Sequence, residues 1–463
     1  MPRTAGARLV PPEPPAAGTV EVNGAGARCL CVPAAGSPVR EAPTPLMNVR
    51  RSAAALAASA VLCVGVAPAA LADTAPPASP SAPPVIPSGL YGKADPTYDG
   101  VWRQSFALLA QHTVGVEPAR EAVVWLAGQQ CDNGGFASFR PNAAVACDAN
   151  TTYDTNATAA AVQAMKALGG QDATMRRSVD WLKSVQNEDG GWSYVPGSPS
   201  DANSTAVVIS ALSVAGEKPA EVRSKAGKSA YEGLLPFQLG CAAEPAADRG
   251  AFAYQPADGK LVANGDATAA AVLAGLGKGA AVVPSAENTP AAPLACPAAN
   301  AADPVAAAQG AAGYLAEALK KDGHLTAVTP GSDQPTPDTG NTVDAVLALA
   351  AAGHKESAAG ALKWLETNSA EWAKGSPAAL GTLVLAANAT GADPKSFGGT
   401  DLVAALNATG PAPQGADTEA TEVDGEKKKS SGNQNIWWVV GAGAAAGIGM
   451  GILLSGRRKK NRS

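Results

Sequence analysis

From residue 95 to residue 408 the chain alternates two kinds of helical segment. The first kind is apolar on several faces, as in Ala159-Ala-Ala-Val-Gln-Ala-Met-Lys-Ala-Leu168, the pattern of a helix surrounded by neighbours. The second kind ends near a Gln and runs into a Gly-Gly turn, as in Trp181-Leu182-Lys-Ser-Val-Gln186-Asn-Glu-Asp-Gly190-Gly191-Trp192. Helices of the first kind are predicted over 99–112, 154–168, 202–215, 265–277, 339–353 and 376–390. Their companions are predicted over 116–130, 174–187, 219–239, 302–320, 356–369 and 399–408.

The alternation is a repeat. Trp125, Trp181 and Phe237 stand 56 residues apart, and each is followed by a Gln (Gln130, Gln186, Gln238) and a glycine turn (Gly134, Gly190, Gly250). The loop then enters the next apolar helix through Asp154-Thr-Asn156-Ala-Thr158, Asp201-Ala-Asn203-Ser-Thr205 or Asn264-Gly-Asp266-Ala-Thr268. A fainter copy runs from Tyr314 to Asp338-Thr-Gly-Asn341-Thr342, and another begins at Trp364-Leu365. A fixed period of this size means stacked supersecondary units. Six helices of each kind are enough to close a ring, and a ring leaves no end repeat to be capped. The expected fold is all-α, an (α/α)6 toroid over 95–408 with six inner and six outer helices.

The flanks predict addressing signals. Residues 47–72 have a basic start, an apolar run and an Ala70-Leu71-Ala72 cleavage site, as a signal peptide does. Residues 1–46, rich in Pro, Ala and Gly, are expected to be a disordered extension from a mis-assigned start, with Met47 the true one. Residues 73–94 and 409–435 are expected linkers. The uncharged stretch 436–455, opened by Trp437 and Trp438 and followed by the basic tail 456–463, is long enough for a transmembrane helix. The expectation is a single-pass protein of the cell membrane, its N-terminal domain extracellular and its C-terminus cytoplasmic. Its partners would then be the membrane and a membrane transporter or surface protein.

Composition narrows the chemistry. Among 463 residues there are three His and no Cys-x-x-Cys, so no zinc or Cys/His centre is expected. Setting aside six basic and three acidic residues before Asp73 and five basic residues after Ile436 leaves 24 Lys+Arg against 37 Asp+Glu, a net charge of −13 for the middle of the chain. That charge argues against a nucleic-acid partner. Cys131, Cys147, Cys241 and Cys296 are expected to form two disulfides. Of the three connectivities, Cys131–Cys147 with Cys241–Cys296 is preferred, because each bridge then stays within one repeat.

Arg177 to Trp192 resembles the QW repeat of squalene-hopene cyclases and related terpenoid cyclases, with Gln186, Gly190 and Trp192 at that motif's spacing. The resemblance implies an α/α toroid in which Gln130, Gly134, Trp181, Gln186, Gly190 and Trp192 are structural. Class II terpene cyclases protonate an alkene through the middle acid of an Asp-x-Asp-Asp-Thr-Ala motif. Asn264-Gly-Asp266-Ala267-Thr268-Ala269 aligns with it, which would make Asp266 the proton donor, but Asn264 and Ala267 replace two of its acids. The helix starts also resemble those of transcobalamin- and intrinsic-factor-like carriers, which implies a bound corrinoid as a possible cofactor.

Asp154, Asp201, Asn264 and Asp338 are good N-cap residues. If the inner helices run alike, their starts share one rim, and the ligand candidates there are Asp154, Asn156, Asp201, Asn203, Asp266 and Asn341. The reading is a non-catalytic binding protein that recognises a protein, an envelope component or a small molecule at that rim. Corrinoid capture for uptake is the alternative, and class II cyclase activity a further one.

Overall fold

The computed structural model describes residues 85–296, 302–328 and 334–415. The first half of the described chain contains α1 (Gly100–Thr113), α2 (Arg120–Gly128), α3 (Thr155–Leu168), α4 (Asp172–Ser184), α5 (Ala202–Ala215) and α6 (Ala230–Leu234). After α6 come the short strands β1 (Phe252–Ala253) and β2 (Ala263–Asn264), then α7 (Gly265–Gly275) and α8 (Pro304–Lys320). A second hairpin, β3 (Leu325–Val328) and β4 (Pro335–Asp338), leads to α9 (Thr339–Ala351), α10 (Lys355–Asn368) and α11 (Ala370–Ala373). The last two helices are α12 (Pro377–Thr390) and α13 (Leu402–Asn407).

Helices α1, α3, α5, α7, α9 and α12 each pack against the next, and α12 packs back against α1. The ring is therefore closed. Each inner helix also carries one outer helix on its back: α2, α4, α6, α8, α10 and α13 in turn. The inner helices are built of Ala, Val and Leu because both flanks and the outer side are covered. At the closing seam α12 presents Gly381, where a Cβ would stand 2.9 Å from the Phe106 carbonyl oxygen of α1. Residues in and flanking the first and last helices of the ring stitch the same seam. Gln111 donates to Asn407 at 2.7 Å, the Tyr91 hydroxyl to the Pro411 carbonyl at 3.2 Å, and the Gly92 amide to the Thr409 carbonyl at 2.9 Å.

One device recurs at four inner-helix starts. Asp154, Asp201, Asn264 and Asp338 accept the backbone N–H three residues on, satisfying a donor that the helix itself leaves free. The Thr four residues after each cap, Thr158, Thr205, Thr268 and Thr342, accepts the backbone N–H of Phe136, Trp192, Phe252 and Leu325. Each loop is thus pinned to the helix that follows it. The Gln of the repeat holds the turn before that loop: Gln186 donates to the Gly190 carbonyl at 2.8 Å and Gln130 to that of Gly134 at 3.2 Å. Gln130 also reaches the Thr174 carbonyl of the next outer helix, at 2.8 Å. Trp181 and Trp192 are buried, and the Trp192 indole donates to the Leu182 carbonyl at 2.7 Å. Gly190, at φ +92°, lies where any side chain would be strained and would also collide with the Ser229 carbonyl, 2.3 Å from its Cβ position.

Disulfides join Cys131 to Cys147 and Cys241 to Cys296, the preferred pairing. All six inner-helix starts fall within one residue of expectation. The expected outer helix over 219–239 is the exception. Residues before 230 form turns closed by an Arg223–Ser229 bridge, and the helix begins only at the Ser229–Glu232 capping box. Pro236 then converts its end to a 3-10 turn over Leu235–Phe237.

The expected C-terminal transmembrane helix is corrected. Residues 436–455 lie outside the described residues, and among the described residues no helix is long and apolar enough to cross a membrane. The longest, α8, has 17 residues, about 26 Å at about 1.5 Å per residue against a hydrocarbon core of about 30 Å, and carries Glu317 and Lys320. The apolar character of the inner helices is accounted for by the ring. Single-pass placement in the cell membrane, with an extracellular N-terminal domain and a cytoplasmic C-terminus, is accordingly withdrawn. So are the membrane and a membrane transporter or surface protein as partners. The expected signal peptide over 47–72 also falls outside the described residues.

Candidate functional site

Because the inner helices run alike, their capped starts surround one mouth. A cavity of about 330 Å³ opens there, lined by residues of α1, α3, α5, α7 and α9. Its polar upper wall includes Asp154, Asn156, Asn203, Asp266 and Asp344, and below them lie Val207, Ala270, Leu273 and Leu347. The far end is crossed by residues 277–282. There the Ala280 amide donates to Gln163 of α3 at 2.9 Å, Lys278 to the Ala351 carbonyl of α9 at 2.6 Å, and Asn388 of α12 to the Val282 carbonyl at 3.3 Å. Ala280 and Gln163 both line the cavity, so this crossing forms its floor.

Four of the six rim candidates meet in this cavity. Asp154 caps α3 and also accepts a hydrogen bond from the Ser138 hydroxyl at 2.7 Å. Burial pushes its carboxyl up, with the Ala157 amide and Ser138 pulling the other way. Asn156 points a buried Oδ1 that has no hydrogen-bond partner. Asn203 donates to Asp266 at 2.8 Å, joining α5 to α7. The Asp266 carboxyl is pushed up to about 6 by burial first, then by the charges of Asp338 and Asp201, with the Asn203 bond acting against them.

The other two candidates lie elsewhere. Asp201 caps α5 and is buried outside the cavity wall, its carboxyl raised by burial. Asn341 donates to its own cap, Asp338, at 2.7 Å and lines a separate depression with Tyr314 and His324.

The sequence reading missed Asp344. It lies five residues into α9, off the cap positions of the repeat, in the otherwise apolar run Val343-Asp344-Ala-Val-Leu347. Its carboxyl is pushed up to about 8, by burial first and then by the charges of Asp266 and Asp338. It forms part of the cavity wall. The isolated Asp in a helix facing the ring was the available signal. Aromatic walls were also missed: Trp102 and Phe106, with rings 4.6 Å apart, come from α1, and Tyr98 and Tyr194 from the segments at the mouth. No group of three or more His, Cys, Asp or Glu among the described residues could hold a metal ion.

Residues 146–216 match the family model of the squalene-hopene cyclase C-terminal domain. No curated protein matches the chain. Among solved structures it is similar to a protein from Actinoplanes, with 17% identity over 66% of this chain and 94% of that one, at a TM-score of 0.41. It is also similar to ent-copalyl diphosphate synthase from Streptomyces platensis, with 18% identity over 63% of this chain and 50% of that one, at a TM-score of 0.41. A third is a type II terpene cyclase from Scytonema, solved as a variant with geranylgeranyl dihydroxybenzoate as substrate: 15% identity, 63% of this chain, 88% of that one, TM-score 0.38. The chain spans half the length of the copalyl diphosphate synthase. Likenesses of this size carry no activity over, and the ring is established by its own helix contacts. Residues 146–216, which hold α3, α4 and α5 of that ring, carry the repeat of the terpenoid cyclase/prenyltransferase superfamily.

Proposed function

We propose that the protein binds a small, largely apolar molecule in the central cavity, entered at the rim of inner-helix N-termini. One observation carries this reading: side chains from five inner helices converge on a single space of about 330 Å³ whose depth is apolar and whose mouth is polar. Ligand sites typically occupy about 300 to 1,000 Å³ and combine apolar walls with a few placed polar groups. A corrinoid with its side chains is larger than this cavity encloses, which favours a smaller ligand over the cobalamin-carrier alternative. Asp344, in the polar wall above that apolar depth, resembles a recognition group more than part of a structural network, since a buried polar group without a partner destabilises a fold.

Thermal unfolding with and without an apolar probe such as 2-phenylethanol tests the reading, with Ala270→Trp as the control that fills the cavity. A ligand that binds only the folded chain raises its melting temperature. The expected result is a concentration-dependent rise in the native chain and none in Ala270→Trp. Equal shifts in both, or none in either, contradict the proposal.

A second reading is supported by the position of Asp266. It aligns with the proton donor of the class II cyclase motif and shares its cavity with Trp102 and Phe106, faces suited to a cationic intermediate. The acids that normally flank that donor are here Asn264, which caps α7, and Ala267, which is buried. Cyclisation of a polyprenyl substrate that is abolished in Asp266→Asn would select this reading over binding alone.

A further inference from the structure

The cavity offers its occupant acceptors and no cation. None of its lining side chains is Lys, Arg or His, and four are Asp. Two of the four are committed: Asp99 pairs with Arg103 at 3.4 Å, and Asp154 caps α3 and holds Ser138. The other two have capacity left. Asp266 uses Oδ1 for Asn203 and keeps Oδ2 open. Asp344 makes no hydrogen bond or ion pair among the described residues and meets only burial and like charge. The Oδ1 of Asn156 is a third buried acceptor without a partner. α1, three places round the ring from α7, adds the rings of Trp102 and Phe106.

Resting on the binding role proposed above, we infer that the ligand is an organic monocation: a protonated amine on a hydrocarbon body. Its ammonium group is held by Asp344 and Asp266, from the adjacent helices α9 and α7, and its body lies against Trp102 and Phe106. An ammonium group has three donors and no acceptor, the complement of carboxylate oxygens with no donor of their own. In a water-poor site such charge-assisted bonds are stronger than neutral ones. Aromatic faces attract the same charge. A carboxylate or phosphate ligand would meet four Asp side chains and no basic one.

The pairing couples binding to protons. Asp344 holds its proton up to about pH 8, with Asp266 of α7 and Asp338 at the head of α9 as the charges that act on it. α12, on the other flank of α9, has no titratable residue, and no group of the outer helices α8 and α10 acts on Asp344. A cation beside Asp344 favours its ionised form, so binding at pH 7 releases a proton, and affinity rises from pH 6 to pH 8.

Calorimetric titration of the full chain with 2-phenylethylamine and with neutral 2-phenylethanol, at pH 7 in buffers of different ionisation enthalpy, tests the inference. The amine is expected to bind at least about tenfold more tightly than the alcohol, with about one proton released per amine bound. Asp344→Asn is expected to remove both the preference for the amine over the alcohol and the proton release. Asp266→Asn, on the neighbouring helix, is expected to narrow the amine's advantage over the alcohol and repeats the test if the first variant fails to fold. An alcohol that binds as tightly as the amine, or a preference that survives both substitutions, overturns the cation and leaves the cavity reading standing. Failure of both probes to bind overturns the cavity reading itself.

Discussion

The side-chain amide of Asn203, two residues into α5, donates to the carboxylate of Asp266, at the start of α7, across 2.8 Å. Sixty-three positions separate the two in sequence, and only the neighbouring of inner helices brings them together. The bond favours the charged form of Asp266 and opposes the burial that pushes its carboxyl up to about 6. Asn203→Leu removes that support, so the Asp266 carboxyl is expected to rise further. Titration of the side-chain carboxyl by ¹³C NMR in the two proteins measures the change, and an unmoved or lowered value contradicts the assignment.

Stability is expected to fall as pH rises from about 4 to about 8. A carboxyl whose pKa is raised by folding binds its proton more tightly in the native state, so its contribution is fully present below the unfolded value near 4 and is lost as pH climbs through the folded value. For Asp344 that folded value is about 8. The slope from this group is at most about 1.4 kcal/mol per pH unit. Denaturant melts at stepped pH on the native chain and on Asp344→Asn check this, because the variant should flatten the slope.

The threonine pins make a separate claim about the fold. Thr205 accepts the Trp192 amide at 2.9 Å in a fully buried setting, so Thr205→Val strands a buried N–H. The expected cost is about 1 to 3 kcal/mol. Thr205→Ser, which keeps the oxygen, should recover most of it. Urea unfolding of the three proteins decides.

Two left-handed glycines separate backbone strain from collision. Gly216 ends α5 at φ +96° with nothing within 4 Å of a Cβ, whereas Gly190 at φ +92° faces the Ser229 carbonyl at 2.3 Å. Gly216→Ala should cost about 1 to 2 kcal/mol from the backbone alone. Gly190→Ala should cost distinctly more, because the turn must move off the next outer helix. Equal costs would contradict the described contact.

Much of the ring was legible because its repeat is written at fixed offsets. The cap residues Asp154, Asp201, Asn264 and Asp338, with a Thr four residues after each, mark the inner helices closely, and local capping decides those boundaries. The outer layer was less legible where turn chemistry outweighed pattern, as around Gly227 before the Ser229 capping box. The site was half legible. Asp154, Asn156, Asn203 and Asp266 were visible because they sit at the caps, whereas Asp344 sits a turn further along and carries no motif. The floor formed by residues 277–282 and the aromatic contribution of α1 depend on contacts between distant positions, such as Gln163 with Ala280, that no local pattern encodes.

One measurement bears most directly on a small molecule seated inside the ring: nuclear Overhauser contacts between bound 2-phenylethanol and the methyl groups of the chain. The account expects contacts from one probe to Val207 of α5, Leu273 of α7 and Leu347 of α9, three residues on successive inner helices that all line the central cavity. Contacts confined to outer helices, or to one of these residues without the others, would contradict it.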